Sequence, residues 1–436
     1  MYLLVALLVA GHSIAFGGTR IKPDFIVAAD GSGDFRTLQA AVASISKTNT
    51  ERVVVFIRDG IYHEKIRVDA SFVTLRGQSR KGTRIEFPQL DEEFTRHPDP
   101  IGRAVINLNQ ANDFVLENLT VENTAGIIGP HAFTILGTGD RAVVVDCDVL
   151  SHGADTVSFW RGDRGRCYLA GCRIEGSVDF VCPRGWCYMT NCSFYELKDT
   201  AAVWHDGSKD QDMKFVMRDC RFDGTNGWNL ARHHHDAQFY FLDCTFANTM
   251  TDRPPFRVIY PLDGGKPSEA DIKRNQGLDP SNVWGERSYF FNCHRDGGDY
   301  PWLSNNLSSA TNAPSPNQIN AAWTFAGKWD PERLTGPKIQ KVEVLTNQIA
   351  LVFSESVTVK GKPRLVRRTM HSNEFPVKPG SWDYLTGSGT DTLIFKNSGA
   401  GALYSLDLDG GSIIASEAGV TLRPASLSTP TPLLGQ

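Results

Sequence analysis

Along the middle of the chain the apolar and polar positions repeat in a short frame. It occurs as "VVDCDVL" at Cys147, "LAGCRIE" at Cys172, "MTNCSFY" at Cys192, "MRDCRFD" at Cys220, "FLDCTFA" at Cys244 and "FFNCHRD" at Cys293, and "LENLTVE" puts Leu119 in the same place. The spacings from Leu119 onward are 28, 25, 20, 28, 24 and 49 residues, the irregular period of a coil of short strands and not of helical repeats. Apolar and β-branched strands broken by Gly, Asp or Asn turns predict a right-handed parallel β-helix. In such a solenoid equivalent residues of successive coils stack at about 4.8 Å, so the repeated cysteines are expected to form an inward ladder of free, buried thiols.

The pattern changes at both ends. From Lys338 onward, apolar and polar residues alternate over short strands with Gly turns, the pattern of a small antiparallel β-sandwich. The start, "MYLLVALLVAGHSIAFG", is an apolar stretch followed by small residues, the pattern of a signal peptide. The expected organisation is therefore a signal peptide over 1–17, an all-β parallel β-helix over 18–336 and a β-sandwich over 337–436, in a secreted (extracellular or periplasmic) monomer. No other stretch has the roughly 18 apolar residues that a membrane span needs.

A net charge of -4 with no long Lys/Arg run argues against nucleic acid as a partner and favours an enzyme or a carbohydrate binder. The 49-residue gap before Cys293, rich in Pro, Gly and charge, reads as an excursion that walls a cleft. The segment after it should wrap back along the coil.

The ladder gives each polar residue a phase. Asp155 lies eight positions after Cys147 and Asp179 seven after Cys172, while His131 and Arg232 each lie twelve after Leu119 and Cys220. Similar phase places them on one wall, with the two aspartates on adjacent coils and Arg232 reaching back from two coils further on. Two carboxylates and an arginine suit ester chemistry. An ionised Asp179 attacks the acyl carbon, Arg232 holds it and keeps its pKa low, and Asp155 is pushed toward protonation as general acid and then base. A glycosidase would also use two carboxylates, but the arginine clamp favours an ionised nucleophile.

These residues carry a family resemblance. "DFIVAADGSGDFRTLQAAV" and "IRDGIYHEKIRV", then "GADTVSFW", "GSVDFVCPRG" and "NLARHH", resemble in order the motifs of the pectin methylesterases, over roughly Pro23 to Leu334. The resemblance implies a carboxylic ester hydrolase acting on pectin or a related methyl-esterified polyuronate, with no cofactor. It assigns the nucleophile to Asp179, the acid/base to Asp155 and the positioning arginine to Arg232. Of the two glutamines with which the family stabilises the oxyanion, one falls on His131 and the other on Ala154, which has no donor. The implied oxyanion hole is weakened, with His131 as a candidate donor, and a catalytically impaired binder of acidic polysaccharide stays open as the second reading.

The tryptophan that lines the family's sugar site falls on His234, expected here to touch substrate. Of the rings near the motifs (Phe159, Trp160, Phe180, Trp204, Trp228), Phe180 and Trp204 are the preferred sugar platforms, and Arg184 is a candidate partner for a uronate carboxylate. "RHHHDAQ" invites a metal reading through His233, His235 and Asp236, but the chain offers no second ligand pair at a suitable spacing, and no metal is expected.

Overall fold

A computed structural model describes residues 23–207, 210, 212–278 and 287–333, and most of the strands between 339 and 427. The segment read as a signal peptide and the 336/337 boundary lie outside the described residues.

The chain winds into three long parallel sheets of ten, eight and nine strands, each complete coil giving one strand to each sheet and the incomplete end coils supplying the rest. The first runs from Phe25–Val27 to Arg287–Phe291 and the third from Gly60–His63 to His294–Arg295. The second, which carries the site, is built in order from β1 (Ile66–Val68), β2 (Ile106–Leu108), β3 (Ile135–Gly137), β4 (Val157–Phe159), β5 (Val181–Pro183), β6 (Ala201–His205), β7 (Asn229–His233) and β8 (Phe256–Arg257). This is the expected parallel β-helix.

The repeated frame has a local cause. Where the first sheet turns into the third, one residue per coil adopts the left-handed conformation: Asn118, Asp146, Gly171, Asn191, Asp219, Asp243 and Asn292 all have φ between 51° and 64°. Asn, Asp and Gly are the residues that enter this region at least cost. The next residue in each coil, Leu119 or a cysteine, points into the solenoid and is buried. Each of these cysteine thiols donates to the carbonyl two residues earlier, as Cys147 does to Val145 at 3.1 Å and Cys220 to Arg218 at 3.2 Å. All nine cysteines are free and buried. Burial pushes the Cys147 thiol up to about 12, so it stays protonated and inert.

The first coil is closed by a helix over Leu38–Ala43 that buries Leu38, Ala41 and Val42. Behind the last strands the chain returns over the outer face of the first sheet. There Leu307, Ile319, Phe325 and Trp329 pack on Tyr168, Trp186, Tyr188 and Tyr240 in a second core. After residue 338 the described strands are antiparallel, from Ile339–Leu345 paired with Gln348–Gly361 through to Ser426–Leu427.

Candidate active site

Asp155 and Asp179 each stand two residues before a strand of the second sheet, β4 and β5, which are direct neighbours. The Asp155 N–H donates to the Val178 carbonyl at 3.3 Å, and the Asp179 N–H to the Ala201 carbonyl at 2.7 Å, so the coils are locked rung to rung at the two acids. Both aspartates have positive φ, 58° and 59°, and so does Val178, at 44°. For a β-branched residue that conformation is an outlier, of a kind that persists where the surroundings over-determine it. The break also interrupts strand alternation. Phe180 is committed to the interior while the Asp179 carboxylate reaches the wall.

Arg232 stands on β7, and β6 lies between it and β5. Its side chain reaches back over that strand: Nε donates to Asp179 Oδ1 at 2.8 Å and Nη2 to Oδ2 at 2.6 Å, a two-pronged grip. Its guanidinium lies 5.4 Å from the centre of the Trp204 ring, which occupies the paired position on β6.

The two carboxyls are buried, and burial raises the proton affinity of both. Asp155 is pushed up to about 8, by burial first and then by the charge of Asp179. For Asp179 the expectation of a low pKa needs correction. Burial lifts it above the ordinary carboxylate range, and the grip and charge of Arg232 pull against that lift. The difference between the acids lies in the arginine fork, which only Asp179 receives, so of the pair Asp179 is the one held ionised and Asp155 the one that keeps a proton.

His131 forms an isolated parallel bridge with Ala154. Its Nε2 lies 4.0 Å from Asp155 Oδ2, and its side chain is 57% exposed. Trp160 and Arg184 complete this side: the Arg184 guanidinium sits 4.0 Å over the Trp160 ring, and its Nε is 3.3 Å from Asp206 Oδ2.

Three substrate-contact expectations are corrected. Phe180 is fully buried beside Phe194 in the main core, so no sugar reaches it. His234 is buried as well, with Nδ1 3.1 Å from the Val258 carbonyl and Nε2 3.0 Å from the Arg274 carbonyl. The ring is thus spent on anchoring the excursion that precedes Cys293, whose Tyr260 packs on it at 4.7 Å. Trp204 is nearly covered too, its Nε1 donating to Asp206 Oδ1 at 2.8 Å, and its contacts are with Arg232 and Tyr260. Phe159 and Trp228 are likewise core residues.

One residue escaped the sequence reading. Glu196 is fully buried beneath the nucleophile turn, and its Oε1 accepts from the backbone N–H of Val178 (3.2 Å) and Lys198 (3.0 Å) and from the Thr200 hydroxyl (3.3 Å). Burial pushes it up to about 9. The signal was present: in "SFYE" the strand buries its second and fourth residues, and the fourth is an acid. Among the described residues no group of three His, Cys, Asp or Glu is arranged to hold a metal ion.

Two neighbouring carboxyls, one gripped by an arginine, on the wall of a parallel solenoid make comparison with known proteins informative. Residues 24–242 match the family model described as Pectinesterase. The chain belongs to the pectinesterase family. Among its relatives, a pectinesterase of Petunia integrifolia is 31% identical over 173 residues, 39% of this chain and 44% of the relative. Pectinesterase 4 of Arabidopsis thaliana is 28% identical over 45% of this chain and 31% of its own length. The match thus spans less than half of either relative. Solved structures extend the fold further. Pectin methylesterase PemA from Erwinia chrysanthemi superposes with a TM-score of 0.55 at 18% identity, over 71% of this chain and 98% of that one. The carrot pectin methylesterase does so at 0.54 and 19%, over 72% and 96%.

Proposed function

We propose that this chain hydrolyses methyl esters of polygalacturonate or a related polyuronate, with Asp179 as nucleophile and Asp155 as general acid and base. The observation that carries the reading is the two-pronged hold of Arg232 on Asp179 beside a second carboxyl, Asp155, that lacks such a hold. Family membership and the fold support the chemistry.

The steps follow from which carboxyl is charged. The Arg232 grip leaves Asp179 ionised and fixes its rotamer, so one oxygen attacks the ester carbon while the carbonyl pair moves onto oxygen. Collapse breaks the bond to methoxide, which takes the Asp155 proton and leaves as methanol, with an anhydride joining substrate to Asp179. Asp155, now ionised beside a nucleophile whose charge is gone, takes a proton from water. The hydroxide frees the uronic acid and restores Asp179. His131, the most exposed group on this wall, donates to the substrate carbonyl oxygen.

Buried Ala154, with no donor, favours one alternative: a protein of the same shape that binds acidic polysaccharide with little turnover. Methanol release from highly methylated pectin, measured beside Asp179→Ala and Ala154→Gln, decides between them. Release that vanishes in the first variant and rises in the second supports the esterase; binding with no release above the Asp179→Ala blank supports the alternative. We read the strands after residue 338 as an appended immunoglobulin-like module, and the chain as a secreted monomer.

A further inference from the structure

As Asp179 attacks, negative charge gathers on the carbonyl oxygen, and losing one donor aimed at it costs on the order of a hundredfold to a thousandfold in rate. Ala154 supplies none, Arg232 has Nε and Nη2 committed to Asp179, and His131 offers one ring nitrogen. Arg184 is placed differently. It directly follows β5, the strand that Asp179 introduces, and its N–H donates to the Phe159 carbonyl at 2.9 Å, which fixes its backbone beside the end of the strand that Asp155 introduces.

Its head is then held from two sides. One is the Trp160 ring at 4.0 Å, which is braced edge-on by Phe133 at 5.2 Å. The other is Asp206, itself fixed by the Trp204 indole. The hold on Asp206 is an ion pair at Nε, the Cys182 thiol is a further side-chain partner of the head, and among the described residues no oxygen accepts a hydrogen bond from the two terminal nitrogens. The charge acts on the site itself: it is the foremost of the influences that lower the proton affinity of Asp155, and it lowers that of Asp179 as well. A held cation on the strand next to Asp155, whose terminal N–H groups bond no oxygen and whose charge reaches both acids, is what a developing oxyanion requires.

We propose that Arg184 is the oxyanion donor of this site, its terminal N–H groups holding the ester carbonyl oxygen while the bond from Asp179 to the acyl carbon forms. The pair that moves onto that oxygen returns when the bond to methoxide breaks and the proton of Asp155 goes to the leaving oxygen. A fixed cation thereby replaces the neutral donor missing at position 154. This inference rests on the esterase reading, and it differs from a clamp for a neighbouring uronate carboxylate in acting on kcat and not on KM.

The test is methanol release by the full chain, wild type, Arg184→Met, Arg184→Lys and the double variant Arg184→Met/Ala154→Gln, on fully and on partly methylated pectin. Arg184→Met is expected to lower kcat by about a hundredfold on both polymers with KM unchanged. Arg184→Lys keeps part of the rate, and Ala154→Gln returns part of what Arg184→Met loses. A raised KM confined to the partly methylated polymer, with kcat unchanged, makes Arg184 a uronate clamp and overturns the proposal, as does an unaltered rate. A wild type that releases no methanol overturns the esterase reading and the donor role together, whereas an active wild type with an equally active Arg184→Met overturns the donor role alone. Carbon-detected NMR titration of the carboxyl groups supplies a readout that a packing role would not move. Loss of the cation in Arg184→Met, or in Arg184→Gln should the first not fold, raises the titration point of Asp155, and a point that stays in place shows that the head does not face the site.

Discussion

Trp204 and Arg232 occupy paired positions on adjacent strands, and the arginine lies 5.4 Å from the indole centre while its fork grips Asp179. The ring is a shelf for the arginine: Asp206 fixes it at one edge and Tyr260 packs against it at 6.5 Å. Removing the shelf deletes no reacting group; it loosens the aim of the nucleophile and, through Asp206, one side of the hold on Arg184. Trp204→Leu is therefore expected to lower kcat by roughly tenfold to a hundredfold, the scale of a misplacement of about an ångström, with KM little changed. Trp204→Phe keeps a ring under the guanidinium and should recover much of that loss. Steady-state methanol release checks both.

The proton on Asp155 sets a pH limit on activity. With its folded pKa near 8, kcat/KM should fall above that pH as the acid is lost. The acid limb, where Asp179 takes up a proton, should lie above the ordinary carboxylate range, because burial lifts that group as well. A pH profile of kcat/KM shows both limbs.

The same shift bears on stability. A carboxyl whose folded pKa is raised contributes stability that is fully present below its unfolded value, near 3.8, and is lost as pH rises through about 8. Asp155→Asn removes this loss. The variant should be inactive, yet more stable than wild type at pH 8 to 9, with the two converging toward pH 4. Urea unfolding midpoints across that range check the sign, and a variant less stable at pH 9 would contradict the assigned protonation.

Glu196 supports the strained turn at Val178 and Asp179 from inside the coil. Glu196→Gln keeps an acceptor for the three donors and should be close to wild type in rate. Glu196→Leu takes the acceptor from the part-buried Lys198 N–H and Thr200 hydroxyl and leaves the Val178 N–H only its bond to Thr200 Oγ1, at about 0.5–1.5 kcal/mol for each hydrogen bond lost, so both melting temperature and kcat should fall. Equal rates in the Gln and Leu variants would show that the turn holds itself.

The thiol ladder predicts indifference to redox conditions. The nine buried free cysteines should react with a thiol reagent only after unfolding, and reductant should leave the melting temperature unchanged. Fewer than nine thiols titrated in denaturant without reductant would reveal a disulfide.

The sequence by itself determined the solenoid, the ladder and the shared wall of Asp155, Asp179 and Arg232. These are repeated local events: one Asn, Asp or Gly turns the chain in each coil, one small apolar residue follows it inward, and the backbone ladder carries that phase from coil to coil. Tertiary structure alone decided what covers each side chain. Phe180 and Asp179 are neighbours in sequence, yet the left-handed turn sends one to the core and leaves the other on the wall. His234 is spent on carbonyls 24 and 40 residues away, and Arg184 is aimed by a tryptophan from one coil and an aspartate from another. Proton affinity follows the same rule. Periodicity can bring carboxyls together, but desolvation depends on atoms brought in from distant parts of the chain, so the raised proton affinities of Asp179 and Glu196 belong to the folded molecule.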